Sequence, residues 1–233
     1  RAGVPMQVSA GGMQPMSLCF LLRNVDVTTA LLRDHIHHTG LHGQSKHMGI
    51  YHALQKLAEQ GEDVPQFGGP WFNNVMHKGS VAVNITRRAA DATDNRNFSA
   101  AECRMREDAY KLVALLRKLY PEFAKASIAE IAAQGGVRET YHIRGLYTLS
   151  GADILGGAPC ADGVAFCSHP VDIHSAQDNT QTAQYFDTPC PVPYRVMVAA
   201  GFDNLIAAGR CVSCVDEAYA SMRVQGTCMA IGE

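Results

Sequence analysis

The segment Gly201-Phe-Asp-Asn-Leu-Ile-Ala-Ala-Gly-Arg210 and the residues after it combine the types and spacing best suited to hold a ligand. A short apolar run, Leu205 to Ala208, reads as a buried strand ending in Gly209, and a small-residue helix is predicted to start near Gln225 to Thr227. Glycine at the C-terminal end of such a strand lets a ligand approach the backbone, where α/β sheets bind their ligands. A helix start offers amides with no intrahelical acceptor and the positive end of the aligned peptide dipoles. Arg223, just ahead of that start, adds a fixed positive charge on the same side. Together these groups favour an anionic or electron-rich ligand. An ordinary βα connection with an exposed arginine has the same pattern.

Two other clusters invite chemistry and read more plainly. His35, His37, His38, His42, His47 and His52 place six histidines within 18 positions, which is tempting as a metal site. Set among Gly and Ser, they read as a polar loop running into a helix from about 45 to 60, and no metal is assigned. Cys211-Val-Ser-Cys214 is a lone C-x-x-C about 20 residues from the end, away from the helix start that thioredoxin-like chemistry uses. With the other cysteines scattered, free thiols are expected.

The elements that must position these residues follow from periodicity. Pro15 to Val25 and Val81 to Thr86 alternate as strands. Ser99-Ala-Ala-Glu102 reads as a capping box opening a helix to about Tyr120, whose Leu112, Leu115, Leu116 and Leu119 form a core-facing stripe. Pro121 ends it, and a second helix is predicted over 122–133, stopped by Gly135-Gly136. Val137 to Thr148 has period-2 patterning and is predicted as a strand, with Arg138, His142 and Arg144 on one face. Ser150 to Leu155 reads as a short capped helix, 156–193 as irregular, 193–199 and 205–208 as strands, and the segment from Glu217 onward as helix.

With 233 residues, 47% of them hydrophobic, the chain can bury a sizeable core. A formal net charge of −2 gives no footprint for nucleic acid, and no polybasic stretch points to an anionic membrane. The apolar runs are too short to span a bilayer. The first residue is Arg1, so an upstream start is expected; the compartment stays open, with the cytoplasm favoured.

Here the residues resemble a family. Asp203 to Arg210, followed by Ser221-Met-Arg-Val-Gln-Gly-Thr-Cys-Met-Ala-Ile-Gly232, looks like the C-terminal signature of the bacterial FAD-dependent oxidoreductases, distant relatives of fumarate reductase and succinate dehydrogenase flavoproteins. Gly12 to Leu18, Asn84 to Arg87 with Asp91 to Asp94, Gly135 to Glu139, Arg144-Gly145, Leu149 to Asp153, Val171 to His174 and Pro193 to Arg195 match further blocks in order. The resemblance implies an α/β flavoprotein. Residues 1–195 would form an α+β substrate domain, and 196–233 the last strand and helix of a Rossmann-like FAD domain. The G-x-G-x-x-G fingerprint would precede residue 1, making this a C-terminal fragment that is inactive alone.

The resemblance also implies roles. Gly209 and Arg210 would contact the ribityl and phosphate region of FAD, and the Gly226 and Thr227 amides would face the flavin pyrimidine edge. Arg223 would face both flavin and substrate. His174 would sit near the reactive face, where an imidazole can shuttle a proton; a satisfied loop histidine is the equal alternative. Arg138, Arg144 and Arg195 are candidate anion clamps, with structural ion pairs expected for at least two. The expected activity is hydride transfer between a small organic substrate and flavin N5, with the oligomeric state open. A non-enzymatic binding domain and a histidine-cluster metal protein are the rival readings.

Overall fold

The computed structural model describes residues 3–9, 12–29, 31–32, 48–75, 77–156 and 160–233. Five of the clustered histidines, His35 to His47, therefore lie outside the described residues; His52 is exposed on a helix. In chain order the strands and helices are β1 (Met6–Gln7), β2 (Phe20–Arg23), α1 (Met48–Glu59), β3 (Phe67–Asn74), β4 (Val81–Thr86), α2 (Asn95–Leu119), β5 (Ser127–Ile131), β6 (His142–Ile143), α3 (Gly151–Gly156), β7 (Gly163–Cys167), β8 (Val171–His174), β9 (Gln181–Gln184), β10 (Cys190–Pro193), α4 (Asp216–Met222) and α5 (Gln225–Ala230). Helices and sheets are mixed throughout, and the fold class is α/β. The chain forms two compact units, one of residues 15–137 with 177–179, the other of 1–14, 138–176 and 180–233.

The unit built on residues 15–137 is a four-stranded antiparallel sheet in the order β3-β4-β2-β5. β4 has the predicted bounds, with Val81, Val83 and Ile85 buried. Only Phe20–Arg23 of the strand expected over Pro15 to Val25 is regular; Met16 and Ser17 make isolated bridges to Arg88 and Gly136. The long helix α2 packs its Ala109, Leu112, Val113 and Leu116 into the core shared with Phe20, Leu22 and Phe72. Burying a leucine of this kind stabilises by roughly 2 kcal/mol before cavity effects. Leu112→Ala is expected to cost about 2–5 kcal/mol, read as a lower urea midpoint at an unchanged slope.

Two predictions for this unit are corrected. The helix opens at Asn95, a turn before the expected capping box, because the Asp94 carboxylate accepts the Arg96 and Asn97 amides at 2.7 and 3.2 Å. Ser99 Oγ instead donates to the Asn95 carbonyl at 2.7 Å, and Glu102 accepts from the Gly135 amide and Arg106. The helix expected over 122–133 is a 3₁₀ turn, Pro121–Phe123, followed by β5. Pairing Ile131 with Phe20 and Ile128 with Leu22 completes the sheet, and that tertiary gain outweighs the local helix preference of the alanines.

The other unit holds three two-stranded antiparallel pairs, β1-β6, β7-β10 and β8-β9. Its core includes Leu149, Ile154, Val192, Val196, Val212, Tyr219 and Met222. Of the strand expected over Val137 to Thr148, only His142–Ile143 is regular, paired with Met6–Gln7. Residues expected to be irregular between 156 and 193 contain four short strands. Ser150 caps α3 as predicted, with its amide and hydroxyl donating to Asp153 at 2.8 and 2.7 Å. The strands expected over 193–199 and 205–208 reduce to a 3₁₀ turn at Tyr194–Val196 and bridges such as Val198 with Ile206. The closing helix is two helices, broken where Val224 turns extended at φ −69° and ψ 149°.

Candidate functional site

The loop that ends at Gly209 makes one wall of a groove. Gly209 has φ +85°, a left-handed conformation that L side chains resist, and a Cβ placed there would meet nothing within 4 Å. With Arg210, Gln225, Cys228 and Met229 it lines a pocket of about 480 Å³. Arg210 Nε donates to the Arg223 carbonyl at 3.1 Å, fixing the groove wall to the joint between α4 and α5. Gly226 is exposed in the first turn of α5, which carries no side-chain cap. Thr227 is buried, and its side chain is not part of the groove lining.

Arg223 reaches from the end of α4 to a buried carboxylate. Its Nη2 donates to Asp172 Oδ2 at 2.9 Å and to the Asp172 carbonyl at 2.9 Å. His174 Nε2 lies 3.0 Å from the same Oδ2, and Gln181 Nε2 donates to Oδ1 at 2.7 Å. The Asp172 and Arg223 side chains are 14% and 11% exposed, little enough that water does not screen the pair. Burial pushes the Asp172 carboxyl up, yet the hydrogen bond and charge of His174, the Arg223 guanidinium and the Gln181 amide outweigh it and hold the group well below the usual carboxylate range. Burial pushes the neighbouring His169 imidazole down, its contact with the Pro170 carbonyl opposing the shift. Among the described residues the buried Arg223 Nε has no hydrogen-bond partner.

Thus the structure brings His174 and Arg223 together, and joins Arg210 to them through the Arg223 backbone. The sequence reading gave no role to the group that joins them, Asp172, or to Gln181. A signal existed in Val-Asp-Ile-His: an acid and a histidine two residues apart on a strand share one face. Arg195 forms an exposed pair with Asp162, Nε to Oδ2 at 2.8 Å, and lies over the Tyr147 ring, as a structural arginine would. Glu139 and His142, placed on opposite faces by the strand reading, are a buried pair at 3.2 Å with His142 edge-on to Tyr219. All eight cysteines are free thiols, and burial pushes Cys214 far up from the ordinary thiol range. Among the described residues no group of three or more His, Cys, Asp or Glu could hold a metal ion, and no helix is long and apolar enough to cross a membrane.

An α/β fold with a glycine-walled groove, next to a carboxylate that gathers a histidine and an arginine, has the parts of a cofactor-dependent enzyme. The family model of the FAD dependent oxidoreductases matches residues 1–233, and the chain belongs to that family. FAD is its cofactor and flavin-linked redox chemistry its class of activity. Comparison with curated proteins and with solved structures gives no match. The residues present fit part of such a ligand: the open space above Gly209 and the Arg210 guanidinium in the same lining are features that a large anionic molecule would use.

Proposed function

We propose that this chain serves hydride transfer between a small organic substrate and flavin N5, with residues 196–233 facing the flavin and 1–195 the substrate. The observation that carries the reading is Arg223, whose backbone is held at the groove by Arg210 while its side chain grips the carboxylate that also holds His174. Gly209 and Arg210 would hold the ribityl and phosphate portion, and the Gly226 and Thr227 amides would face the pyrimidine edge. Bound FAD supplies the two-electron donor or acceptor. Arg223 contributes positive charge to an electron-rich ring, and His174 gives or takes the accompanying proton.

The test is FAD binding after a side chain is placed at Gly209. Gly209→Val puts a branched side chain into the groove at φ +85°; Gly201→Val, at φ +82° and also with open space, imposes the same backbone strain away from the groove lining. In a flavin-fluorescence titration, Gly209→Val is expected to weaken FAD at least about tenfold, a loss of roughly 1.4 kcal/mol, and Gly201→Val to leave it near wild type. Equal affinities in the two variants would sink the assignment of the groove.

A further inference from the structure

We propose that Asp172 is a positioning residue which holds the orientation of Arg223 and sets the proton affinity of His174, so that the permanent guanidinium charge and the titrating imidazole act on each other through one carboxylate. The inference rests on the redox reading above for its purpose and on geometry for its content. Asp172 and His174 stand on one face of β8, two residues apart. Their strand pairs with β9 so that Gln181 sits opposite His174 and reaches diagonally to Asp172 Oδ1 at 2.7 Å. The other oxygen, Oδ2, is shared by His174 Nε2 at 3.0 Å and Arg223 Nη2 at 2.9 Å. Among the groups facing this centre are His169 from the segment before β8, Gln181 from β9 and Arg223 from the end of α4. The His174 amide also faces Gln14 Oε1 at 3.5 Å.

One carboxylate between two cation-forming groups couples them. With the carboxylate present, a proton on His174 is stabilised by the negative charge and opposed by the Arg223 charge. Removing either neighbour therefore moves the imidazole in opposite directions. Asp172→Asn keeps size and one acceptor oxygen but removes the negative charge, so His174 holds its proton less tightly. Arg223→Gln removes the repulsion, so His174 holds it more tightly. A role confined to packing produces no such opposition, because loosening the cluster in either variant shifts the imidazole the same way, toward solvent behaviour.

The experiment is an NMR titration of the His174 imidazole in the FAD-loaded protein, wild type against the two variants. The expected result is a fall of at least about one pH unit in the Asp172→Asn midpoint, roughly tenfold in proton affinity, and a rise in Arg223→Gln. Midpoints that do not move, or that move in the same direction, overturn the proposal. Should Asp172→Asn not fold, Arg223→Gln decides alone, since a midpoint that fails to rise overturns the coupling. The rate of flavin reduction in the same samples separates this inference from the proposed function. Opposed shifts with unchanged reduction keep Asp172 as the coupling group and remove the pair from the redox step. Unmoved midpoints with slowed reduction keep the redox site and reject the coupling.

Discussion

Flavin reduction is expected to slow about a hundredfold or more in Arg223→Ala, to be read by anaerobic stopped-flow at saturating reductant. A fixed cation facing charge that develops during reaction is worth on the order of 10²–10³ in rate. In this protein the guanidinium is nearly buried beside the Asp172 carboxylate, and the Arg223 backbone is tied to the groove wall through Arg210. The same substitution leaves the buried Asp172 carboxylate with His174 and Gln181 but without its guanidinium partner, a loss of up to about 3–5 kcal/mol in stability. Arg223→Lys keeps the charge but cannot bridge the Asp172 carbonyl and carboxylate while presenting a third donor group along the same plane, so it should restore stability better than rate. Wild-type reduction kinetics in Arg223→Ala would leave the guanidinium a purely structural group.

His174→Gln is expected to lower turnover by roughly 10²–10⁴ and to flatten the pH dependence of the remaining activity between about pH 5 and 8. Glutamine can still donate to Asp172 Oδ2, so the buried carboxylate keeps a partner and the melting temperature should fall little. That separation of rate from stability distinguishes a proton-transferring imidazole from one that merely satisfies its neighbour. A variant that turns over normally with the wild-type pH profile would show that His174 only fills space beside Asp172.

The parts of the fold legible in the sequence are those where local preference and tertiary packing agree. Val81 to Thr86 alternates because one face is core, and the leucine stripe of α2 faces the sheet for the same reason. The segment Ser127–Ile131 was illegible because Ala129, Glu130 and the alanines flanking them favour helix, while the partner that makes it a strand, Phe20–Arg23, lies about a hundred residues earlier. At the site, Gly209 was legible as a residue type, since φ +85° restricts what can stand there. Asp172 carried only the weaker mark of its spacing from His174 on one strand. Its importance comes from Arg223 and Gln181 arriving from other elements, and only three-dimensional packing brings those together.

The break in the closing helix has an energetic consequence. Arg223 sits at the joint with its carbonyl held by Arg210 and its guanidinium by Asp172 and, through Asp172, by His174. The groove wall and the Asp172–His174 cluster are thus two ends of one short lever whose fulcrum is a single residue. Free energies lost at Arg210 and at Asp172 must overlap instead of summing, because either loss already releases the shared pivot.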